Sequence, residues 1–322
     1  MIMIKNPQIQ SEIDAFKKDP SVRKVVNEFS KVNPARQFIP VIFDWAVIAA
    51  AIAVCSTYFS WWLYALTVVV IASRQHALLV LMHEAAHLRV FKNVTWGDMI
   101  VDFVCAYPTF MTTEAYRRNH SAHHSATNTE KDPDWARKIP KAEWQYPQRP
   151  LTMAKVLGRQ LMVGGLEWMV LAYMISKNDK KKMAYWAVVA TAVVMTGYGK
   201  GFLLYWMVPM LTLFPTIQRI RSIAEHFGLK YEHEMNGTRN VMSGPVQSFL
   251  FGPHNVRLHL AHHMFPTVPQ YNLGRLHQIL MDHPTYAKYS HNNTSYIFFG
   301  NSVVKNLREE GYTPSPEQKM AV

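Results

Sequence analysis

The hydrophobic positions of the chain fall into two pairs of long apolar runs, separated by polar and basic segments. The first pair covers about 41–59 and 61–82, and the second covers about 183–198 and 202–221. An apolar helix of about 20 residues crosses the roughly 30 Å hydrocarbon core of a bilayer. The pattern therefore predicts an all-α integral membrane protein with two transmembrane hairpins, about four spanning helices, together with interfacial helices and a cytosolic helical domain.

Three further segments are predicted to lie at the membrane surface. Residues 1–40 are polar and basic with apolar positions at helical spacing, which predicts a cytosolic segment with a surface helix or two at the lipid headgroups. The stretch 97–111 is apolar but carries Asp98 and Asp102, and it predicts a re-entrant or interfacial helix. Residues 151–175 predict an amphipathic helix on the membrane surface, with a span as the alternative.

Two charged residues, Asp44 and Arg74, lie within the first predicted hairpin. A charge deep in lipid is costly unless it is paired. If the two helices run in opposite directions, both residues lie at similar depth. We therefore predict that Asp44 and Arg74 form an ion pair.

The basic run 177–182 indicates the orientation of the second hairpin, because positive loops favour the cytosolic side. Both returning helices then end at the cytosolic face, and residues 277–322 are predicted to form a cytosolic tail. The short chain favours a bacterial protein. We therefore expect a multi-pass protein of the bacterial plasma (inner) membrane.

The composition agrees with a membrane protein that has a large polar part. Hydrophobic residues are 49% and charged residues 17%, while the mean hydropathy of −0.08 is too low for a chain lying almost wholly in a bilayer. The net charge of +12 suits an anionic membrane surface or an acidic partner. Nucleic acid is disfavoured, because no binding motif accompanies the charge. The two cysteines form no metal-binding spacing.

Three histidine motifs stand out against this background. They are His83-Glu-Ala-Ala-His87, His120-Ser-Ala-His-His124 and His259-Leu-Ala-His-His263. With 15 histidines in 322 residues, one His-x-x-His-His is expected by chance on the order of 0.03 times. On a helix, positions i, i+3 and i+4 share one face, so each motif aims its imidazoles the same way. The candidate metal ligands are His83, His87, His120, His123, His124, His259, His262 and His263.

These histidines predict two metal ions, since one metal takes at most about six ligands. Two metals in an all-nitrogen shell at a membrane surface favour redox chemistry on a substrate held in lipid. Iron is preferred because it activates O₂, whereas zinc leaves the surplus of ligands unexplained. Copper is disfavoured, because no Met or Cys lies at ligand spacing in the motifs. We therefore predict a di-iron site that cleaves O₂ and attacks an unactivated C–H bond.

The motifs, with Thr127-Asn-Thr-Glu-Lys-Asp-Pro-Asp134 after the second and Met-Phe-Pro-Thr-Val-Pro269 after the third, resemble the membrane fatty acid desaturase family. The resemblance covers about 41–276 as one desaturase domain. It implies a fatty acyl desaturase with two iron ions (Fe²⁺/Fe³⁺) and O₂ as co-substrate. The substrate would be an acyl lipid, acyl-CoA or acyl-carrier-bound chain, and electrons would come from a ferredoxin or a small cytochrome with its reductase.

Carried over by position, the family's ligands fall on the eight histidines of the three motifs and on His226. Some relatives place an Asn one turn before that ninth histidine as a further, water-mediated ligand, but here the position holds Ser222. Carboxylates near the ligands are expected to accept from their outer N–H groups and so to orient them. The candidates are Glu84, Asp132, Asp134 and Glu225, and the alternative for each is an ordinary surface acid or helix cap. His76 and His254 are expected to be core histidines, and Asn255 to form hydrogen bonds.

Other activities remain open on the same residues. A hydroxylase or other oxygenase acting on a lipid or hydrocarbon is the main alternative to a desaturase. The first motif also matches the zinc-protease pattern His-Glu-x-x-His, with Glu84 as base, but the other two motifs would then have no role. A metal transporter is disfavoured, because its ligands would be expected inside the spans rather than at their ends.

Overall fold

The computed structural model describes residues 6–87, 94–176, 179–297 and 299–309. Residues 177 and 178 of the basic run, and 310–322 of the predicted tail, lie outside the described residues. The α-helices of the first half are α1 (Pro7–Lys18), α2 (Pro20–Phe29), α3 (Pro34–Thr57), α4 (Trp61–Ala86), α5 (Val94–Val101), α6 (Thr113–Ala126), α7 (Pro133–Lys138) and α8 (Pro150–Ser176). Those of the second half are α9 (Lys180–Met195), α10 (Gly199–Phe202), α11 (Val208–Leu211), α12 (Leu213–His226), α13 (Pro245–Phe251), α14 (His259–Met264), α15 (Gln270–Met281), α16 (Pro284–Tyr289) and α17 (Val303–Asn306).

Short elements complete the described chain. Two-residue strands β1 (Asn240–Val241) and β2 (Asn292–Asn293) pair in parallel, with Asn240 opposite Asn292. π-helical turns cover Asp102–Ala106 and Leu203–Met207. Turns of 3₁₀ helix cover Tyr107–Thr109, Ala142–Trp144, Glu234–Asn236 and Pro253–Asn255.

The chain divides into two compact units. Unit 1 comprises Met1–Val32, Arg118–Met153 and Ile220–Val322, and unit 2 comprises Asn33–Arg117 and Ala154–Arg219. Unit 1 holds the second and third histidine motifs, and unit 2 holds the first. Each unit is therefore built from segments that are far apart in the sequence.

Three helical stretches within the described residues are long and apolar enough to cross a membrane. They are α3, α4 and the continuous stretch Gly199–His226, which match three of the predicted spans. The remaining predicted span, 183–198, falls largely in α9, which has 16 residues. At about 1.5 Å per residue, α9 is roughly 24 Å long and shorter than a typical hydrocarbon core. The predicted total of about four spans is therefore not confirmed.

The predicted ion pair in the first hairpin is confirmed. Nη1 of Arg74 lies 2.8 Å from Oδ1 of Asp44, and both side chains are buried. The pair joins α3 to α4 well inside their apolar lengths. Its formation spares each helix the cost of a lone charge in a medium of low polarity.

The predicted interfacial helix at 97–111 is interrupted rather than continuous. After α5 the backbone passes through the π-helical and 3₁₀ turns, and Phe110 adopts a positive φ of 66°. Unpaired carbonyls at membrane depth are costly, so irregular backbone requires partners from the protein. Three indole N–H groups donate to three successive carbonyls: Trp186 to Tyr107, Trp206 to Pro108 and Trp168 to Thr109, at 3.0–3.3 Å.

The N-terminal helices of unit 1 differ from the prediction that they lie at the lipid headgroups. Ile13 and Phe16 of α1, and Val22 and Phe29 of α2, are buried in a protein core that also contains α14 and α15. The apolar spacing was that of an amphipathic helix, which fits a membrane surface and a protein core equally well. Only the tertiary contacts distinguish the two.

Unit 1 also contains the polar contact that holds the third histidine motif. The amide N–H of Ala261, in α14, donates to Oδ1 of Asn240 at 3.1 Å. Nδ2 of Asn240 donates to Oδ1 of Asn292 at 2.8 Å. A helix as short as α14 is not stable alone, so these contacts and the surrounding core fix its position.

The Arg74–Asp44 pair generates a prediction about stability. Asp44→Asn and Arg74→Gln are each expected to lower the free energy of unfolding by about 3 kcal/mol, because each leaves its partner buried and uncompensated. The double variant should lose less than the sum of the two single losses. The measurement is a double-mutant cycle on unfolding of the purified protein in detergent. Strict additivity would contradict the pairing.

Candidate metal centre

The ligand candidates of unit 1 come from three helices. The second motif lies on α6, the third motif forms most of α14, and His226 is the last residue of α12. The i, i+3, i+4 spacing places the imidazoles of each motif on one helix face. Of these seven histidines, His124 and His263 are partly exposed and the others are buried.

The first group of imidazoles in unit 1 comprises His120, His124 and His262. Nε2 of His124 lies 3.0 Å from Nε2 of His120 and 3.2 Å from Nε2 of His262. The structure thus joins members of the second and third motifs, which are more than a hundred residues apart in the chain. Sequence spacing alone does not predict this pairing.

The second group comprises His123, His226, His259 and His263, whose donor atoms all lie within 4.8 Å of one another. Nε2 of His259 lies 2.9 Å from Nε2 of His226 and 3.1 Å from Nε2 of His263. The two groups are adjacent, because the rings of His124 and His263 stack with centroids 4.1 Å apart. His226, predicted from the family resemblance, therefore lies among the histidines of the second and third motifs.

The chemistry of these nitrogens fits bound metal ions. One imidazole nitrogen carries either a proton or a single lone pair, so it forms one good hydrogen bond. Nε2 of His259 and Nε2 of His124 each face two other Nε2 atoms, which hydrogen bonds alone cannot satisfy. Ligands that each lie about 2.1 Å from one metal are roughly 3.0–3.4 Å apart. The observed separations of 2.9–3.2 Å are close to that range.

Electrostatics favours the neutral, ligating form of the central ring. Burial, reinforced by the neighbouring imidazoles, lowers the pKa of His263 well below its usual value. The ring is therefore neutral at pH 7 and keeps a lone pair to offer. A metal ion needs this form of the ligand.

The first motif lies in unit 2, at the C-terminal end of α4. The rings of His83 and His87 have centroids 4.8 Å apart, and Oε1 of Glu84 lies 3.5 Å from Nδ1 of His83. The guanidinium of Arg117 donates to the carbonyls of Ala85 and Ala86. A helix end leaves its last carbonyls without partners, so Arg117 stabilises the turn that presents these histidines.

Arg117 is itself held by a carboxylate that the sequence analysis did not connect with the first motif. Its two terminal nitrogens lie 2.8 Å and 2.6 Å from the oxygens of Asp98, a two-bond geometry that orients the guanidinium. Asp98 comes from α5, on the predicted interfacial helix. The one sequence feature that could have indicated this contact is the position of Arg117 just before the second motif. No spacing rule, however, connects Arg117 with α4.

The carboxylates near the ligands differ in what they contact. Oδ2 of Asp132 lies 2.8 Å from Nδ1 of His123, the ring nitrogen on the other side from Nε2. Its Oδ1 accepts from the backbone of Asp134 and Trp135, which caps α7. Asp132 therefore ties the ring of His123 to the start of a helix.

Asp134 and Glu225 have other partners. Burial raises the pKa of Asp134, but Lys138 and Arg137 outweigh this and hold the pKa below its ordinary value. Asp134 also accepts from Nδ2 of Asn119, at 3.3 Å. Oε1 of Glu225 accepts from Nε of Arg221 at 2.6 Å, and its Oε2 lies 3.5 Å from Nε2 of His259.

Two residues outside the motifs, His76 and Asn255, behave as expected. Nδ1 of His76 lies 2.8 Å from Nε2 of Gln218, as for a hydrogen-bonded core histidine, and Asn255 donates to the carbonyl of Gln270 at 2.9 Å. His254, which was expected to be a core histidine, is only half-buried and adopts a positive φ of 51° in the turn before α14. Ser222 has a contact that was not predicted from the sequence, since its Oγ accepts from Nζ of Lys138 at 2.8 Å.

Comparison with known proteins gives a family match that covers the residues of this site. The family model for fatty acid desaturase matches residues 59–295, which include all three motifs and His226. A dihydrorhizobitoxine desaturase from Bradyrhizobium elkanii is 30% identical over 290 residues, covering 83% of this chain and 82% of that protein. An sn-1 acyl-lipid omega-3 desaturase (ferredoxin) from Nostoc sp. (strain 36) is 24% identical, covering 79% of this chain and 77% of that protein.

A more distant relative extends the comparison to plants. A chloroplastic omega-6 fatty acid desaturase from Brassica napus is 23% identical, covering 66% of this chain and 52% of that protein. The chain thus spans about half the length of that relative. Since the family match covers most of the chain and one relative reaches 30% identity over four-fifths of it, the chain belongs to the fatty acid desaturase family of oxidoreductase enzymes.

Proposed function

We propose that this protein is an O₂-dependent fatty acyl desaturase with two iron ions. The observation that carries the proposal is the convergence of seven imidazoles in unit 1 in two adjacent groups, with Nε2 atoms facing one another. Family membership supplies the reaction class. Two imidazole-bound irons would supply the activation of O₂ that removal of hydrogen from an unactivated C–H bond requires.

All nine predicted histidines are proposed as metal ligands. His123, His226, His259 and His263 hold one ion, as their mutual distances support. His120, His124 and His262 contribute to the other, and the family resemblance assigns His83 and His87 as further ligands. With no sulfur and few carboxylates among the candidates, the donor set suits iron better than copper(I).

The neighbouring carboxylates are proposed to orient these ligands. Asp132 fixes the tautomer and plane of His123 by accepting from its Nδ1–H. Glu84 has a longer contact with Nδ1 of His83. Asp134 acts through Asn119, the residue before His120. The protein's own part of the reaction is to place the acyl chain against the metals and to exclude water.

The substrate and the electron donor follow from chemistry and from the named relatives. The Nostoc relative is an acyl-lipid desaturase that uses ferredoxin, so we propose an acyl lipid as substrate and an acidic ferredoxin as donor. The net charge of +12 would favour docking of such a donor. The proposed location is the bacterial plasma membrane, with the histidine motifs on the cytosolic side.

A second candidate substrate rests on a specific comparison. The Bradyrhizobium relative, at 30% identity over 82% of its length, is named for dihydrorhizobitoxine rather than for an acyl lipid. The same removal of two hydrogens would apply to that compound. A hydroxylase on the same metal site is less favoured, since the three relatives compared are all desaturases.

Lipid analysis of an expressing host tests the proposed reaction. Cells that make the protein are expected to contain acyl chains lighter by two hydrogens than the control, because each turnover forms one double bond. Mass spectrometry of total lipids, with a ferredoxin and its reductase co-expressed, provides the measurement. A gain of one oxygen would instead favour the hydroxylase, and conversion of fed dihydrorhizobitoxine alone would favour the second substrate.

Two variants make that experiment specific. His262→Ala should abolish the new products, because it removes a proposed ligand of the third motif whose Nε2 lies 3.2 Å from Nε2 of His124 in the second motif. His283→Asn is the matched control, since it changes a histidine outside the motifs while keeping a side chain able to cap α16. Unchanged acyl profiles in cells making the wild-type protein, over a range of fed fatty acids, would contradict the proposal.

Metal binding tests the proposed role of Asp132. Asp132→Asn is expected to weaken iron binding by about 10- to 100-fold, because the amide no longer accepts a charge-assisted hydrogen bond from His123. Glu130→Gln, an exposed acid of the same loop, should bind iron as the wild type does. Iron content after dialysis against graded chelator provides the measurement. Equal losses in both variants would argue against a specific role for Asp132.

A further inference from the structure

Glu225 has a contact that an orienting carboxylate would not need. A carboxylate that orients a ligand accepts from the ring nitrogen facing away from the metal, as Asp132 does at Nδ1 of His123. Glu225 instead places Oε2 at 3.5 Å from Nε2 of His259. The two carboxylates therefore approach their histidines from opposite sides.

The nitrogen that Glu225 approaches is the one at which the imidazoles converge. Nε2 of His259 lies 2.9 Å from Nε2 of His226 and 3.1 Å from Nε2 of His263. Two ligands of one metal are roughly 3.0–3.4 Å apart, and the Glu225 oxygen is close to that distance from one of the four histidines, His259. The oxygen is not among the four donor atoms that all lie within 4.8 Å of one another. The Glu225 oxygen therefore approaches the four-histidine group from the side of His259.

The remaining contacts of Glu225 hold it in this orientation. Oε1 accepts from Nε of Arg221, one helical turn earlier on α12, at 2.6 Å. The hydroxyl of Thr238 donates to the backbone carbonyl of Glu225 at 2.9 Å. The side chain is buried, and Arg221 balances its charge. A metal ion bound by the four histidines would place a second positive charge near Oε2.

The side chain of Ser222, one helical turn before His226, is engaged away from the histidines. Oγ of Ser222 accepts from Nζ of Lys138 at 2.8 Å. Lys138 in turn lies 3.6 Å from Asp134. The hydroxyl is thus engaged by a lysine that is itself held by a carboxylate.

We infer that Glu225 is a metal ligand, which supplies a carboxylate oxygen to the ion held by His123, His226, His259 and His263. This inference rests on the proposed two-metal function. Nitrogen with a carboxylate is a ligand set that suits iron, and the negative charge balances part of the charge of the metal. The ion in the second histidine group therefore has four nitrogens and one oxygen from the protein.

Cobalt(II) binding to the metal-free, full-length protein in detergent tests the inference without reference to activity. Wild-type protein is expected to bind two equivalents, with visible absorption that reports the coordination of each. Glu225→Gln should bind one equivalent like the wild type and the other at least about tenfold more weakly, with altered absorption. Loss of an oxygen ligand changes the coordination number, which the absorption intensity follows. Glu130→Gln is the neutral control.

Two further variants separate ligation from folding and from the ion pair. Glu225→Asp keeps the charge but withdraws the oxygen by one methylene, so it should fold and still show the altered spectrum. Arg221→Gln keeps a donor to Glu225 and removes the ion pair, so the wild-type spectrum should persist. Circular dichroism of each metal-free variant verifies folding.

The possible outcomes separate this inference from the proposed function. If wild-type protein binds two equivalents and Glu225→Gln and Glu225→Asp both match it in affinity and spectrum, Glu225 is not a ligand and the two-metal proposal stands. An altered spectrum in Arg221→Gln equal to that of Glu225→Gln would also overturn ligation, since the ion pair would then explain both. Wild-type protein that binds no cobalt would overturn the two-metal function itself.

Discussion

Unit 1 depends on one constraint. Several imidazole nitrogens lie within hydrogen-bond distance of one another, but they cannot all form hydrogen bonds. Nε2 of His259 faces two further Nε2 atoms, and so does Nε2 of His124. A single lone pair or proton on each nitrogen cannot form both contacts. Such a set is stable only with a cation at its centre or with strong support from the surrounding protein. The metal would in turn contribute to the stability of the fold that binds it.

The support comes from contacts at the backs of the ligands. Asp132 links the ring of His123 to the cap of α7. Asn240 links α14 to the short β1–β2 pair. These buried polar contacts have well-defined directions, so they orient the rings more narrowly than apolar packing does. The N-terminal helices complete the same core through Phe16 and its neighbours, although they are more than two hundred residues away in the chain.

Unit 2 meets a different constraint, the cost of polar groups in an apolar surrounding. Arg74 and Asp44 neutralise one another. The irregular backbone after α5 is tolerated because three tryptophan indoles supply its carbonyls with donors. Arg117 does the same for the end of α4. In each case a side chain from a second element provides the hydrogen bond that regular helix or water would otherwise provide.

The sequence alone predicted three of the apolar runs found in α3, α4 and the stretch 199–226, together with a fourth run, 183–198, that is not confirmed as a span. It also predicted the Asp44–Arg74 pair, the ligand candidates and, through the family resemblance, His226. Hydropathy and the 3.6-residue period of a helix are local properties, so they identify which residues share one face. The tertiary structure decided that the apolar faces of α1 and α2 pack against protein and that the helix predicted over 97–111 is broken after α5. It also decided which histidines of different motifs lie together. Asp132 contacts Nδ1 of His123, whereas Glu225 approaches Nε2 of His259, the nitrogen that faces the other imidazoles. These features depend on contacts between distant segments, which no local spacing encodes.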